Sequence, residues 1–539
     1  MNQNLTKVHL LNVPLENDYK NTLFFTNKNE QNTYFSNNII HSFTDLSYQR
    51  KDFKIRVPKH IDTLWNCNYV MYQNTYYNNK WFYAFITDMS YINDKMTEIK
   101  IETDVMQTWF FDFIVKPSFV EREHVSDDTI GLHTLPENLE SGEYICGTKL
   151  DNSFGSAHVV IAATYDCFNN KDAGSLINGI YHGVDYFLIG PTSTEGAISY
   201  FLSVYEDRGK VDSITGIFMV PDNLTNYGTI DWDFMVSSES LSNFPYKKLS
   251  LNTVSATDMG TFTIAKPLNN VDGYTPRNKK LFTFPYKYLK VSNNNGSEGI
   301  YKYEEFTGAS FQFNTKGVIT PGCSIRTAPV NYKGVARNNS EGLNLGKYPV
   351  CSYNTDVYTN WLTQNSVNIG LSVASSALTM VGGVGLSLTG AGALAGGGAI
   401  VSGAMGIASS MGQVYQHSLI PPQAEGNLNC GDVIFSNGEC NFSYYMMNIK
   451  QEYAKIIDKY FDMFGYKVNM VKTPNRAHRA RWWYTKCIDV NIDGAIPNKD
   501  MEIIKRCYNN GVTYWRNANE IQNYNLGNGI AITEGAVTG

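Results

Sequence analysis

The chain has 539 residues, of which 13% are aromatic, and it carries a formal net charge of −6 at pH 7. The aromatic content is typical of a folded protein rather than a disordered one, and the acidic balance argues against a protein that binds nucleic acid by neutralising phosphates. The nine cysteines form no CxxC pair, which favours free, mostly buried thiols over a zinc or disulfide framework. The first residues lack the apolar stretch of a secretory signal, so none is predicted.

Residues 1 to 125 have the composition of a β-rich domain. The run at 79–89, NKWFYAFITDM, has the aromatic and β-branched content of a strand. The next run alternates with a period of two, and its polar face carries Lys100, Glu102 and Asp104. Such alternation predicts a strand with one buried face.

Residues 126 to 355 are predicted to form one or more further β-rich domains. Short apolar runs at 158–165 and 214–220 lie between clusters of Gly, Asn, Asp and Ser. No alternation of strands with long helices is visible, which argues against a doubly wound sheet. The predicted fold class is therefore mainly β, or α+β.

A long uncharged segment follows, because no Asp, Glu, Lys or Arg occurs in the 68 residues 357–424. It is apolar yet rich in Gly, Ala and Ser, and two stretches, 366–389 and 393–415, flank a glycine-dense middle. Each stretch would measure roughly 35 Å as a helix, which is enough to cross a hydrocarbon core of about 30 Å. Small residues recur at four-residue steps, a spacing that lets helices approach closely in lipid. Pro421 and Pro422 end the segment.

The residues of this segment leave its conformation open. A helical hairpin and a glycine-rich loop both fit, because glycine disfavours a helix by about 1 kcal/mol relative to alanine. A buried core hairpin and a permanent membrane anchor are further alternatives. The anchor is disfavoured because basic flanks are missing.

The C-terminal part combines helices with strands. Residues 451–465 place apolar side chains at helical spacing and end at Gly465, and 498–511 predict a second helix that ends at Gly511. Strand-like runs, YKVNMV and VTYW, follow the two helices. A basic and aromatic cluster fits a surface for single-stranded nucleic acid, although a solvated or intersubunit face is favoured; it consists of Lys467, Lys472, Arg476, His478, Arg479, Arg481, Trp482 and Trp483.

Residues with catalytic chemistry do not form a recognisable site in the sequence. The charged run Glu121, Arg122, Glu123 and His124 is more consistent with ion pairs than with acid–base catalysis. The HExxH, GxSxG and GxxxxGK[ST] patterns do not occur. No catalytic residue, cofactor or metal site is predicted.

Several motifs resemble the tail-knob, or distal tail tube, proteins of small short-tailed phages of Gram-positive bacteria. The resemblance covers about 1–125 and 360–516. The motifs are NDYKNT (17–22), NKWFYAF (79–85), DVMQTWFFDF (104–113), SFVEREHV (118–125), IPPQ (420–423), QEYAKIIDKYFDMFGYKVN (451–469), KTPNRAHRARWWYTKC (472–487) and NNGVTYW (509–515).

The resemblance implies a virion protein that is assembled in the host cytoplasm as a homohexameric, β-rich tube at the end of the tail. It implies four parts: an N-terminal tube domain (1–125), a middle part (126–355), an apolar loop (356–425) and a C-terminal α+β part that packs with the N-terminal domain (426–539). The loops would plug the lumen and, on infection, form a channel through which the genome leaves.

The implied partners are other phage tail proteins, lipids of the host cytoplasmic membrane, and double-stranded DNA that passes without sequence-specific binding. Two alternatives stay open, a host-adhesion tail protein and a tail-borne cell-wall hydrolase. The predicted membrane-active residues share apolar or aromatic character, and they are Trp361, Val367, Ile369, Leu371, Val373, Leu378, Met380, Val384, Leu386, Leu388, Leu394, Ile400, Val401, Met405, Ile407, Met411, Val414 and Tyr415.

Overall fold

The computed structural model describes residues 6–530, with gaps at 47, 50–52, 76–77, 155–156, 175, 178–179, 182, 191–193, 226–228, 237–242, 250–256, 295–296, 318, 320–324, 334–342, 345–440 and 476–478. Strands predominate over helices in the described residues. This confirms the mainly β class predicted from the sequence.

The described strands are numbered in chain order. The first fifteen are β1 Thr6–Leu11, β2 Asn21–Leu23, β3 Ile39–Leu46, β4 Tyr48–Gln49, β5 Lys54–Val57, β6 Tyr69–Asn74, β7 Trp81–Asn93, β8 Met96–Thr103, β9 Phe113–Val115, β10 Ser118–Glu123, β11 Tyr144–Ser153, β12 Ala157–Ala163, β13 Tyr165–Asp166, β14 Lys171–Asp172 and β15 Leu176–Ile177. The others are β16 Ile180–Tyr181, β17 Asp185–Ile189, β18 Ile214–Pro221, β19 Asp233–Val236, β20 Asn243–Leu249, β21 Thr257–Ala265, β22 Lys287–Ser292, β23 Glu298–Lys302, β24 Ser310–Gly317, β25 Arg326–Pro329, β26 Leu343–Asn344, β27 Asn441–Ile449, β28 Tyr466–Lys472, β29 Trp482–Ile488, β30 Ile492–Gly494 and β31 Val512–Trp515.

The described α-helices are α1 Lys28–Asn37, α2 Val105–Thr108, α3 Thr194–Asp207, α4 Asp222–Thr225, α5 Gln451–Phe464 and α6 Asn498–Asn510. The chain divides into two compact units, each built from separate stretches of sequence. Unit 1 comprises the described residues of 1–143, 269–286 and 449–539, and unit 2 those of 144–268 and 287–448. The four-part division suggested by the resemblance stays a prediction.

Unit 1 contains a seven-stranded sheet in the order β3-β1-β6-β7-β8-β5-β4 and a five-stranded sheet in the order β2-β31-β29-β10-β28. The short strand β2 pairs in parallel with β31, so Asn21 lies opposite Thr513. This pairing brings residues from the two ends of the sequence into one sheet. A core of aromatic and aliphatic side chains joins them, and Trp482 and Trp515 are fully buried in it.

Helix α5 joins unit 1 through an amphipathic face. Ala454, Ile457 and Phe461 recur at helical spacing and are buried. The helix ends at Gly465, whose φ of 64° lies in the left-handed region. A Cβ at that position would lie 2.1 Å from the carbonyl oxygen of Glu123, so only glycine fits there.

The same helix also buries carboxylates, which form what we call the polar centre: Arg277, Asn278, Asp458 and Asp462. Asp458 is 1% exposed and accepts hydrogen bonds from the backbone N–H of Arg277 at 2.8 Å and of Asn278 at 3.0 Å. The Asn278 amide donates to Asp458 and Asp462, both at 2.9 Å, and Arg277 pairs with Asp462 at 3.0 Å. These bonds fix the 269–286 stretch to α5.

Unit 2 contains three larger sheets, in the orders β18-β12-β17-β20-β19, β11-β27-β22-β23 and β21-β24-β25-β26. Side chains from all three sheets contribute to one aromatic-rich core, which includes Phe218, Tyr301, Phe313 and Tyr444. A second core lies under α3, which buries Phe201 and Tyr205.

Several predicted elements are confirmed. Helices α5 and α6 occupy the two C-terminal stretches read as helices, and strands occupy the runs read as strands near 79–89, 97–103, 158–165 and 214–220. All five described cysteines are free thiols and four of them are buried, as predicted.

Two features differ from the sequence expectations. Helices α1 and α3 lie in regions read as β-rich. Asp104, expected on an exposed face of β8, is 2% exposed because it caps α2, accepting hydrogen bonds from Gln107 N–H at 3.0 Å and the Tyr69 hydroxyl at 2.8 Å. Burial raises the pKa of Asp104 to about 6.

Candidate functional site

The uncharged segment lies outside the described residues, and so do all eighteen of its predicted membrane-active residues, from Trp361 to Tyr415. The structure does describe the strands that bracket it. Strand β26 precedes the segment and β27 follows it, and both belong to unit 2. The candidate functional site is therefore the part of unit 2 formed by these two strands and the residues that they contact.

Strand β27 is an interior strand of its sheet. It pairs antiparallel with β22, with Tyr444 opposite Val291 and Met446 opposite Leu289. All four of these side chains are buried. The first described strand after the segment therefore belongs to the core of unit 2.

Polar side chains secure the first residues of β27. The Asn294 amide donates to Asn441 Oδ1 at 2.5 Å and to Ser443 Oγ at 3.0 Å. The Ser443 hydroxyl, which is fully buried, donates to a carboxylate oxygen of Asp151 on β11 at 2.5 Å. These bonds hold the returning chain against two neighbouring parts of unit 2.

Strand β26, the last described strand before the segment, is tied to the same place through Thr327. Leu343 of β26 lies opposite Thr327 of β25, and the Thr327 hydroxyl is 3.2 Å from the Tyr444 hydroxyl. The Tyr444 ring also packs against Phe313, with ring centroids 5.0 Å apart. We call Asn294, Thr327, Asn441, Ser443 and Tyr444 the segment anchor.

The segment anchor is made of neutral groups. The side chains of Thr327, Ser443 and Tyr444 are all fully buried, and burial raises the pKa of the Tyr444 hydroxyl. Each can donate and accept a hydrogen bond without carrying charge. The anchor was missed in the sequence, although the aromatic run at 441–449, which begins 17 residues after the uncharged segment ends, indicates a buried strand.

The charged run predicted to form ion pairs does so inside unit 1. Arg122 pairs with Glu137, and Glu123 pairs with Lys472. His124 donates from Nε2 to the Asp462 carbonyl at 3.0 Å and accepts at Nδ1 from the N–H of Tyr484 at 2.8 Å. Both ring nitrogens of His124 bond to backbone groups of unit 1, so the charged run shows no arrangement for acid–base catalysis.

The surroundings of His124 keep its ring neutral. Burial lowers the pKa of His124 to about 3, and the nearby positive charges of Arg479 and Arg122 act in the same direction. A neutral ring matches the hydrogen bonds it makes, one as donor and one as acceptor.

The two tryptophans of the basic and aromatic cluster do not lie on a surface, so for them both the nucleic-acid interpretation and the solvated or intersubunit interpretation are wrong. Trp482 and Trp483 are 0% and 3% exposed, and they belong to the core of unit 1. Their rings are therefore not available to stack on bases. Arg479 is 6% exposed, whereas Arg476 and His478 lie outside the described residues.

The described ranges contain no candidate metal site and no candidate membrane-spanning helix. No group of three or more His, Cys, Asp or Glu side chains in these ranges is placed to hold a metal ion. No helix that the structure describes combines the length and apolarity needed to cross a bilayer.

Comparison with known proteins gives matches over nearly the whole chain. The family described as the C-terminal domain of tail knob protein gp9 of Bacillus phage phi29 matches residues 241–529, and the family described as the caudoviral major tail protein N-terminus matches residues 4–115. The tail knob protein gp9 of Bacillus phage phi29 is 24% identical, with 97% of this chain and 98% of that protein covered. The gp9 proteins of Bacillus phages B103 and PZA are 24% and 25% identical over similar lengths.

A solved structure shares the fold. The tail knob protein gp12 of bacteriophage C1 superposes with a TM-score of 0.64, covering 98% of this chain and 100% of that one. The sequence identity is 15%, so this likeness bears on the fold alone.

Proposed function

This chain belongs to the family of tail knob proteins that includes gp9 of Bacillus phage phi29, and from that premise we propose that its uncharged segment plugs a tail lumen and later crosses the host cytoplasmic membrane. The protein is a structural component of a phage tail and not an enzyme. The hydrolase alternative is therefore excluded.

In the proposed assembly, six copies form a ring whose walls are the β-sheets and whose lumen carries the genome. Each chain has a formal net charge of −6. Such a wall binds phosphates weakly, because affinity for DNA comes mainly from the release of counterions by Lys and Arg. Double-stranded DNA would therefore slide through without being held.

The observation that carries the proposal is the absence of charge over residues 357–424. A charged side chain at the bilayer centre costs about 2.5–3.5 kcal/mol on insertion scales, and this segment incurs no such cost. Transfer of its apolar surface from water to lipid is favourable by about 25 cal/mol per Å². Inside the closed tube, the six segments would bury one another until the tube opens.

The segment anchor supports this mechanism. Its bonds tie β26 and β27, the described strands before and after the segment, to one core through the Thr327–Tyr444 hydrogen bond. The segment would then leave the lumen as a loop while its ends stay attached to unit 2. A channel built this way remains joined to the tube that delivers the DNA.

The test is dye release from liposomes by the purified protein and by a variant that lacks residues 360–424, after light scattering has shown that both form the same oligomer. Release by the full chain and none by the deletion variant supports the proposal. Failure of both to release dye across pH and lipid composition would contradict it, and would leave the segment as a plug only.

Point variants make this test sharper. Val384→Asp or Ala399→Asp places one charge in the segment and should abolish dye release while sparing assembly. Val384→Leu keeps the position apolar and should release dye normally. Val211→Asp places the same charge at a half-exposed position of unit 2 and should have no effect. A host-adhesion function predicts instead that the deletion variant keeps both cell binding and infectivity.

A further inference from the structure

A cleft of about 900 Å³ lies within unit 1, at the upper end of the size range of small-ligand sites. Three parts of the chain form it: the turn at 12–16 after β1, helix α1, and the turn at 516–522 after β31. None of these residues belongs to the segment anchor, and nothing in the proposed channel mechanism uses the cleft.

The frame of the cleft is held by hydrogen bonds. The Asn68 side chain accepts from the N–H of Val13 at 2.9 Å and donates to its carbonyl at 2.7 Å. Glu30 accepts from the N–H of Thr26 at 2.7 Å, which fixes the start of α1. Asn517 accepts from the N–H of Asn519 at 3.0 Å, which fixes the third wall. The cleft is therefore preorganised.

Other polar groups around the cleft are not used by this frame. Five side chains that line it make no hydrogen bond with any residue in the described ranges, and they are Asn12, Tyr34, Asn37, Asn519 and Gln522. Four are amides, each with two N–H donors and one acceptor oxygen. Asn12, Asn37, Asn519 and Gln522 are exposed to solvent, so their amides are open to a ligand that enters the cleft, whereas the Asn68 amide of the frame is already bonded.

Tyr34 adds an aromatic surface with a polar tip. Its ring is partly buried and lies 5.7 Å from the ring of Phe25, centroid to centroid. Burial raises the pKa of the Tyr34 hydroxyl to about 12, so the group stays protonated and can both donate and accept. Side chains of this kind combine an apolar body with a hydrogen-bonding end.

The charges around the cleft argue against an anionic ligand. Glu16 and Glu30 line it, and Arg516 is the one basic residue among the lining residues. The Arg516 Nε donates to the carbonyl of Arg479 at 3.2 Å, and its guanidinium lies 5.5 Å from the ring centroid of Trp483. With two carboxylates and one guanidinium among its lining residues, the cleft carries a charge balance that disfavours a phosphate group.

We propose that this cleft binds a short, neutral saccharide whose hydroxyl and acetamido groups pair with the free amides and whose apolar face lies on Tyr34. Ligands of this class need donors and acceptors in similar number and an apolar contact, which is the combination that the lining supplies. Such a site would let the tail tube contact neutral glycans in addition to any contact with lipid.

The experiment is saturation-transfer NMR and calorimetric titration of the full chain with three probes: the trimer of N-acetylglucosamine, maltotriose, and glycerol phosphate. We expect saturable binding of at least one neutral trimer and none of glycerol phosphate. Binding of glycerol phosphate alone, or of no probe at millimolar concentration, would overturn the proposal.

Cleft variants locate the binding. Tyr34→Phe removes one free hydroxyl but keeps the ring, and Asn37→Ala removes one free amide at an exposed helix end, so both variants should fold. Each should weaken saccharide binding about fivefold, the worth of one hydrogen bond. The matched control, Tyr91→Phe, removes a hydroxyl outside the cleft and should bind like the unmodified chain. Equal binding by all three variants would place the saccharide elsewhere and refute this site.

Discussion

In unit 1, the polar centre joins two distant stretches of the chain through carboxylates, whereas in unit 2 the segment anchor joins two strands through hydroxyl groups. Asp458 accepts hydrogen bonds from the turn at 277–278, while Thr327 and Tyr444 share one bond between neutral groups. Both regions are buried, and both connect residues more than a hundred positions apart. They differ in whether the connection carries charge.

The difference has a consequence for how each region responds to pH. A buried ionisable group makes stability depend on pH wherever its pKa differs between the folded and unfolded states. A buried hydroxyl whose pKa is raised stays neutral and adds no such dependence near neutral pH. We therefore expect the stability of unit 1 to depend on pH, in a direction that each buried group sets by itself, and the Thr327–Tyr444 bond to be insensitive to pH near neutrality.

The largest expected effect concerns His124. Its folded pKa of about 3 is below the ordinary 6.5, so its contribution to stability is complete above pH 6.5 and is lost as pH falls toward 3. The full loss corresponds to about 5 kcal/mol. Hydrogen exchange of peptides from 451–464 should accelerate steeply with acid relative to peptides from 441–449, after correction for intrinsic rates.

A neutral replacement separates this effect from general acid denaturation. His124→Gln can keep one donor and one acceptor, so stability in urea should change less between pH 6.5 and 4.5 than in the unmodified chain. His133→Gln, at a partly buried histidine of the same unit, is the control for loss of an imidazole as such. If the stability of the His124→Gln variant changed with pH as much as that of the unmodified chain, the proposed difference in pH response between the two units would be wrong.

The next largest effect is expected from Asp458→Ala. The substitution leaves the N–H groups of Arg277 and Asn278 without their acceptor, and should lower the free energy of unfolding of unit 1 by about 4 kcal/mol. Lys459→Ala, one position along on the exposed side of α5, should cost less than about 0.5 kcal/mol. If the two variants lost similar free energies of unfolding in urea, the polar centre would contribute little to the stability of unit 1.

The contribution of Asp104 to the stability of unit 1 should change with pH in the opposite direction to that of His124. Burial raises its folded pKa to about 6, so the folded state binds the proton more tightly, and stability falls as pH rises from 4 to 6. Asp104→Asn keeps an N-cap residue for α2 and should stabilise unit 1 by up to about 3 kcal/mol at pH 7. The gain should disappear below pH 4. A gain that is equal at pH 7 and pH 4 would argue against a buried charge.

The smallest effect is expected at the segment anchor. Tyr444→Phe removes the hydrogen bond to Thr327 and keeps the ring packing, so unit 2 should lose about 1 kcal/mol. The loss should be the same at pH 5 and pH 8, read from hydrogen exchange at 441–449. If the loss of stability became larger as the pH fell, a titrating group would have to act on the Thr327–Tyr444 bond.

The sequence predicted the elements with strong periodicity and failed where tertiary structure decided the outcome. Helix α5 was predictable because its apolar side chains repeat at helical spacing and Gly465 marks its end. Helix α1 was not, because its sequence KNEQNTYFSN is polar and only Gln31 and Phe35 are buried. Its helical state depends on packing against the rest of unit 1 and on the Asn27 cap.

Long-range contacts explain the other errors. Nothing near Trp482 in the sequence shows that Trp515 would pack against it, so Trp482 was interpreted as part of a surface cluster although it is buried. Asp104 lies in phase with an exposed strand face, but the chain turns into α2 at that residue. The segment anchor depends on register between β25, β26 and β27, and periodicity within each strand carries no information on that register.

The parallel pairing of β2 with β31 has a consequence for synthesis. About 490 residues separate the two strands, which a ribosome adds in roughly 25–100 s at 5–20 residues per second. All the residues of unit 2 emerge before β31 is made. The newly made chain can therefore pair β26 and β27, the strands on either side of the uncharged segment, while the five-stranded sheet of unit 1 still lacks three of its strands. The order of translation therefore lets the strands on either side of the apolar, uncharged segment pair before unit 1 is complete.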